Sequence, residues 1–565
     1  MVKKIFNSIL RHPACTLLAI FFTIVMMVPN VVLCFTESMG VLDSCVNVLL
    51  PLGFYMLCIS LFRHTGWAVW AMLPFAVLAA FQIVLIFLYG GSIIAVDMFL
   101  NVVTTNMSEA CELLRNLGTA IVAVVILYLP PLVWATVTLV RKKEFNAGAR
   151  RYFGRVGLIL FVLGVAGAVF CSVKDNRFSV SKNVFPVNVI NNIRIAIHRT
   201  ILVEHYDKTS SGFCFDSEPT HDTDVPEVYI MVIGETSRAC EWQMGGYDRA
   251  TTPRLSRREG VTFFGRALSE SNTTHKSVPM LMSHVTACNF DSVRYCKSVI
   301  TAFKEAGFHT SFISNQAPNH SYTEFFGREA DYSCYMGDTL GRHCYDGEML
   351  PVVGRCLADT CLHKQFIVLH SYGSHFKYSE RYPHGFGSFK PDECDEVRYD
   401  QRQPLVNAYD NTIEYTDCWL DSLMSMVELS GRHAALVYAS DHGEDILDDG
   451  RGRFLHASPT PTYYQLHVAM LTWVSSAYDK AYPEKLAVMR SHRDVPVSST
   501  SSLYNTLIDL SGIKTRYYVD SLSVASFGYN RPCPLYLDDM NEGVGLMDSG
   551  LKKEDIAILD GLHLL

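Results

Sequence analysis

Long apolar runs fill the first third of the chain, and short ones recur through the rest. The long runs lie near 14–35, 44–62, 67–89, 118–140 and 156–173. Each is long enough to cross the ~30 Å hydrocarbon core of a bilayer as a helix. A single run of this kind could be a buried core helix. Five of them, separated by turns and charges, predict a five-span transmembrane domain over residues 1–173. The first run is long and lacks a small-residue cleavage site, so it reads as a span rather than a cleaved signal. Residues 174–225 form a polar connector. Within it, 185–204 repeats apolar residues at helical spacing around Arg194, His198 and Arg199. That predicts a helix lying on a membrane surface, or a linker helix packed on the globule.

From Val228 the pattern changes to the short runs VYIMVIGE, FIVLHSYGSH, AALVYASDHGE and HVAMLTWVSS, rich in Val, Ile and Tyr. Between them, 292–307 and 404–428 read as helices. Nearly continuous apolar strands alternating with helices predict an α/β fold over 226–565, with a mainly parallel sheet covered by helices.

Charge orients the spans. Lys3, Lys4 and Arg11 precede the first, Arg63 follows the second, and Arg141, Lys142, Lys143, Arg150, Arg151 and Arg155 lie between the fourth and fifth. The opposite loops carry Glu37, Asp43 and Asp97. Placing the basic loops inside puts the N-terminus in the cytoplasm and everything after about 173 outside it. A net charge of -8 offers no basic face for nucleic acid. Of the 17 cysteines, eleven follow the last span: Cys214, Cys240, Cys288, Cys296, Cys334, Cys344, Cys356, Cys361, Cys394, Cys418 and Cys533. The close pairs 288/296, 334/344 and 356/361 suit short-loop disulfides in an oxidising compartment. A zinc cluster is the rival reading, but no CxxC pair occurs.

Three predicted strands end in polar clusters: Gly234-Glu235-Thr236, His370 to His375, and Ser440-Asp441-His442-Gly443-Glu444. In parallel sheets the site lies beyond the carboxyl ends of the strands. Asp441 and His442, adjacent at one such end, can reach a single metal ion, and Glu235 supplies a third ligand from another strand. Carboxylate and imidazole together suit zinc. The bland alternative makes Asp441 a helix cap and Glu235 a solvated loop residue. Thr274, in SNTTHKSVPMLMS, is a candidate nucleophile, because a metal-bound hydroxyl becomes acidic enough to attack. Helix capping or a glycosylation sequon would explain the same residues.

VIGETSR, TTHKSVP, LHSYGSHFKYSERYP, NAYDNTIEYTD and SDHGEDILDDGRGRFLHA, in that order, closely resemble the phosphoethanolamine transferases of Gram-negative bacteria, within the alkaline phosphatase/sulfatase superfamily. The resemblance covers the whole chain. It implies a multi-pass inner-membrane protein, working as a monomer, with a periplasmic sulfatase-like catalytic domain. It also implies that Thr274 is the nucleophile and that Glu235, Asp441, His442 and Thr274 hold one tightly bound Zn2+. His375 and His456 then hold the phosphate group or a second zinc, with His370 in the same motif. Asn101, Thr105 and Glu109 are spaced by four along one helix face; by resemblance they contact the donor's ethanolamine, with Glu109 pairing its ammonium. The implied reaction is ping-pong: phosphoethanolamine moves from phosphatidylethanolamine to a phospho-threonine, then to lipid A or the lipopolysaccharide core.

Two departures stand out. Glu270 and Met280 occupy positions where several lipid A enzymes of that family carry a disulfide, and Lys276 beside the nucleophile is unusual. The nearest alternative is a phosphoglycerol transferase that uses phosphatidylglycerol. A sulfatase would need Cys or Ser in a C/S-x-P-x-R context, which this sequence does not contain. A scaffold without activity would be expected to have lost part of the residue set.

Overall fold

The computed structural model describes residues 13–37, 39–89, 94–104, 117–174, 178–221, 225–342, 344–394 and 397–565. It divides into two compact units, Met1–Phe99 with Leu113–Ile197, and Leu100–Glu112 with His198–Leu565. The connector expected at 174–225 is thus shared between them, and Lys3, Lys4, Arg11, Thr105 and Glu109 fall outside the described residues.

The first unit is helical. Helices α1 (Pro13–Thr36), α2 (Val41–Leu61), α3 (Thr65–Ala71), α4 (Leu73–Tyr89), α5 (Val96–Thr104), α6 (Gly118–Val140) and α7 (Ala147–Lys174) follow one another, and α5 passes into the second unit at Leu100. Among the described residues, α1, α2, α6 and α7 are each long and apolar enough to cross a membrane, and the bent pair α3–α4 makes a fifth if it is one span. The expected run 67–89 is not one straight helix, because α3 and α4 meet at an angle of 58°. Met72 leaves helical conformation between them, and Pro74 follows. A proline there has no N–H to bond the preceding turn and clashes with its carbonyl, which breaks the helix.

Glycines let α2 and α7 approach closely. A Cβ at Gly53 would lie 2.3 Å from Phe161 N, and one at Gly164 would lie 2.6 Å from Leu50 Cα. Buried Asn30 Nδ2 donates to Asn47 Oδ1 at 3.1 Å and to Phe185 O at 2.9 Å, so its amide nitrogen is satisfied inside the apolar unit. The two described basic loops meet at one end: Arg63 pairs with Glu144 at 2.8 Å, and Phe145 N donates to Arg63 O at 2.8 Å. The chain between them therefore leaves that end and returns to it.

The second unit is built on a seven-stranded sheet: β1 (Glu227–Gly234), β2 (Val261–Phe263), β3 (His309–Ser314), β4 (Tyr332–Tyr335), β5 (Lys364–His370), β6 (His433–Ser440) and β7 (Met470–Val474). The spatial order is β2-β7-β6-β1-β5-β3-β4. The five strands from β6 to β4 are parallel, whereas β7 runs antiparallel to β6 and to β2. A short antiparallel hairpin (Asp445–Ile446 with Phe454–Leu455) and a single turn of helix join β6 to β7, so the chain returns without a crossover helix and pairs antiparallel. Every residue of β1 is buried, as expected for a central strand covered on both faces. Tyr229, Met231, Ile233, Phe366, Val368 and Val437 join Phe303 and Leu503 in one core beneath the site.

The helix expected at 404–428 is Arg402–Leu429. That at 292–307 is split: a 3-10 segment, Ala287–Tyr295, precedes Val299–Glu305, which Ser298 caps by accepting from Ile300 N.

The cysteine pairs expected to bridge are free thiols, as are all the described cysteines. Nearness in sequence has not brought their side chains together. Cys288 is exposed while Cys296 is buried against Val293 O; Cys361 is exposed while Cys356 Sγ faces Ser311 Oγ. Cys334 Sγ faces Thr339 Oγ1 and Cys344 Sγ donates to Arg342 O. A disulfide needs Cβ atoms that face each other at about 3.5–4.5 Å.

Candidate metal and nucleophile site

Parallel pairing of β1 with β6 fixes the centre of the site. Gly234 stands opposite Ser440, and Asp441 N donates to Gly234 O at 3.0 Å, so Glu235 and Asp441 leave adjacent strands side by side. The turn after His442 is tight: a Cβ at Gly443 would lie 2.1 Å from Tyr464 O, which no side chain tolerates. Thr274 is the first residue of the helix Thr274–Leu281. Its Oγ1 lies 3.0 Å from His442 Nε2 and 3.4 Å from Glu235 Oε1.

Acceptors crowd this point. His442 Nδ1 bonds Gly443 O at 2.9 Å, which puts its proton on Nδ1 and leaves Nε2 a lone pair. Asp441 Oδ1 accepts from Thr236 N at 3.1 Å and His442 N at 2.7 Å, but buried Asp441 Oδ2 accepts no hydrogen bond. Ligand atoms of Glu235, Asp441 and His442 all lie within 4.8 Å of one another. Two carboxylates and an imidazole lone pair facing one another could hold a cation between them, and the donor set fits zinc. Burial, then the Glu235 carboxylate, pushes the Asp441 carboxyl well above its ordinary range. Burial and the neighbouring His456 hold His442 well below its own.

Thr236 ties two of these groups together. Its backbone is left-handed, with φ +59°, rare for a β-branched residue. In that conformation its N–H reaches Asp441 while its hydroxyl donates to Glu235 Oε1 at 2.9 Å. Tyr409 OH holds the Thr236 carbonyl at 2.7 Å.

A polar cavity of about 130 Å³ adjoins Thr274. His370, His375, His456, His275, Gln316 and Asn101, which belongs to the second unit, line it with Glu235. The His456 ring lies tilted against His442, centroids 4.0 Å apart, and its centroid is 6.1 Å from that of His375. His456 Nδ1 sits 3.2 Å from Glu444 Oε1, and Tyr378 OH donates to Glu444 Oε2 at 2.6 Å. Burial pushes the Glu444 carboxyl up to about 8. His375 Nδ1 bonds Phe376 O at 2.7 Å. His370 is more deeply set. Its Nδ1 meets Ser314 Oγ at 3.1 Å, its Nε2 is buried without a partner, and burial lowers its pKa to about 4.

The structure therefore brings Glu235, Thr274, Asp441 and His442 together, with His370, His375, His456 and Asn101 around the adjoining cavity. Sequence reasoning did not single out Thr236, Glu444 or Gln316. Thr236 and Glu444 sit inside motifs that it quoted. Gln316 follows the apolar run of β3 and ends a fourth strand in a polar cluster. Lys276 is buried, and its Nζ donates to Asp538 O at 2.7 Å, so it anchors the helix Thr274–Leu281 to the C-terminal segment. Glu270 is held by Thr500 Oγ1 at 3.1 Å and Ala287 N at 3.3 Å.

Comparison with known proteins identifies the family and the fold. The sequence profile of the sulfatase family matches residues 227–513. Phosphoethanolamine transferase EptA of Salmonella typhimurium is 30% identical over 311 residues, 51% of this chain and 54% of that relative. The chain thus spans about half the length of the curated relatives it matches. The integral membrane protein lipooligosaccharide phosphoethanolamine transferase A (EptA) from Neisseria meningitidis shares the fold, with a TM-score of 0.71 and 19% identity, over 92% of this chain and 99% of that one. The C-terminal periplasmic domain of EcEptC from Escherichia coli, in complex with Zn, has a TM-score of 0.54 and 24% identity, over 60% of this chain and 98% of that one. This chain belongs to the sulfatase family, and curated relatives that it matches are named phosphoethanolamine transferases.

Proposed function

We propose that this chain transfers phosphoethanolamine from phosphatidylethanolamine to a cell-envelope glycolipid, lipid A or the lipopolysaccharide core, through a phospho-threonine at Thr274. The supporting observation is the place of Thr274 Oγ1, against His442 Nε2 and Glu235 Oε1 and beside a polar cavity edged with histidines. The names of the curated relatives supply the transferred group. The name of the Neisseria protein supplies the class of acceptor.

Glu235, Asp441, His442 and Thr274 would hold one Zn2+, and His375 with His456 would hold the phosphoryl oxygens or a second ion. When bound, the cation makes the Thr274 hydroxyl more acidic and offsets charge on the phosphoryl group. In the first half-reaction a bond forms between Thr274 Oγ and phosphorus, and the bond from phosphorus to the diacylglycerol oxygen breaks. Thr274 gives up one proton and the departing diacylglycerol oxygen takes one. His456, its Nδ1 held by Glu444, lines the cavity and would hand over that proton. An acceptor oxygen then attacks phosphorus and frees Thr274. Asn101 lines the cavity, and with Thr105 and Glu109 it would form the motif proposed to contact the head group.

The helical unit is proposed to anchor the protein in the inner membrane as a monomer, with its basic loops in the cytoplasm and the catalytic unit in the periplasm. The donor then never has to leave the bilayer.

The test is reconstitution in vesicles containing phosphatidylethanolamine labelled in its ethanolamine, with lipid A as acceptor. Labelled lipid A and released diacylglycerol are expected. Transfer from phosphatidylglycerol instead would favour the phosphoglycerol alternative and overturn this one.

A further inference from the structure

The oxygen of Glu235 turned away from Thr274 is held by a residue from the loop after β3, a strand that supplies none of the ligands. Gln316 Nε2 donates to Glu235 Oε2 at 2.9 Å and to Ser371 O at 2.9 Å. A carbonyl and a carboxylate oxygen both need donors, so the amide nitrogen must be the atom that faces them.

The loop carrying Gln316 is fixed at three successive residues. Ser314 Oγ donates to Gln316 O at 2.9 Å and accepts from Gln316 N at 3.1 Å. Asn315 N donates to His370 O at 2.8 Å, and Asn315 Nδ2 donates to buried Asp346 at 2.8 Å. Asp346 also accepts from Tyr372 N at 2.7 Å and Gly373 N at 2.9 Å. Gln316 is thus braced against the β5 loop, whose Ser371 it touches.

The other oxygen of Glu235 faces the ligands. Oε1 accepts from Thr236 Oγ1 at 2.9 Å and lies 3.4 Å from Thr274 Oγ1 and 3.4 Å from His442 Nε2. The last torsion of a glutamate side chain is soft, so an unbraced carboxylate would turn freely. Turning would exchange the two oxygens and change how they meet the lone pairs of Asp441 and His442. We infer that Gln316 is the positioning residue for the cation: it occupies Oε2 of Glu235 and leaves Oε1 as a single-oxygen ligand. The inference rests on the proposed cation site.

Two variants of the full chain in detergent micelles test it. Gln316→Glu keeps the shape and removes both N–H donors, and Gln316→Met keeps the length and removes all polarity. Zinc affinity is read by competition with a chelating dye, beside thermal unfolding of the zinc-free proteins. Both variants should bind zinc ~10–100-fold more weakly, the range for lost outer partners of metal ligands. Their zinc-free unfolding should match wild type. Saturating zinc should restore turnover of labelled phosphatidylethanolamine without raising its KM, which a residue that only gripped the lipid could not do. Wild-type zinc affinity in both variants would overturn the inference and leave the cation site standing. A wild-type chain that takes up no zinc would end both.

Discussion

Thr274 has one proton, and its two nearest partners, His442 Nε2 and Glu235 Oε1, are both acceptors. A hydroxyl in that setting is poised to lose its proton once a cation takes the acceptors' lone pairs. Thr274→Ala should fold, since it removes little volume, yet turnover should fall by ~10³-fold or more, as when other covalent nucleophiles are deleted. Intact-protein mass spectrometry should find one added phosphoethanolamine on wild type and none on the variant; an undiminished adduct would refute the assignment. At this scale the sequence was informative where a polar residue ends an apolar strand, as Glu235, Asp441 and His442 do. It was silent on Gln316, because one glutamine after FIS carries no distinctive pattern and its role depends on where a neighbouring strand ends. Thr236 was visible in its motif, but the left-handed backbone that aims its N–H and hydroxyl at two carboxylates is set by tertiary contacts.

Among elements, the spans were legible from length and apolarity, but their interruptions were not. Met72-Leu73-Pro74 lies inside an unbroken apolar run, and hydropathy alone does not register a proline's missing N–H. The direction of β7 was equally hidden, because a strand pattern is the same read parallel or antiparallel. Packing of α2 on α7 depends on small residues, so Gly53→Leu should force the helices apart. Lower thermal stability of the purified protein is the expected result; an unchanged unfolding temperature would show that the glycine contact matters little. The helix Val187–Glu204 buries Asn188, Val189, Asn192 and Ala196 and exposes Val187, Ile190, Ile197 and Ile201. Those four exposed residues follow one face at helical spacing, and we propose that this face lies in the bilayer surface. A tryptophan placed by Ile197→Trp should be quenched by brominated phospholipid. Strong quenching by aqueous iodide instead would place it in water.

At the scale of the molecule, stability should depend on metal and on pH. The ligand set gathers two carboxylates out of water, so a cation that binds only the folded chain should raise its stability by about 2.7 kcal/mol at a hundredfold excess over Kd. Chelation of wild type should lower the unfolding temperature, and the same treatment of Asp441→Asn should change it much less. Burial lowers His284 and His467 to about 4, below the ordinary histidine value of about 6.5. The folded state therefore disfavours their protonation. Their contribution is full above the ordinary value and is lost as pH falls toward 4, by up to ~3 kcal/mol each. His284 stacks on Phe213 with rings 10° from parallel, so His284→Phe should keep the packing and flatten part of the acid loss in a pH series of thermal melts. Equal acid sensitivity in the variant would clear His284 of that role. The left-handed Thr236 has a consequence of another kind. A β-branched residue at φ +59° stores about 1–3 kcal/mol of backbone strain, and glycine would release most of it. Selection for heat resistance alone would then favour glycine at 236, while selection for turnover keeps the threonine hydroxyl on Glu235. Thr236→Gly should melt no lower than wild type when free of metal and yet transfer more slowly, so durability and catalysis pull this one position in opposite directions.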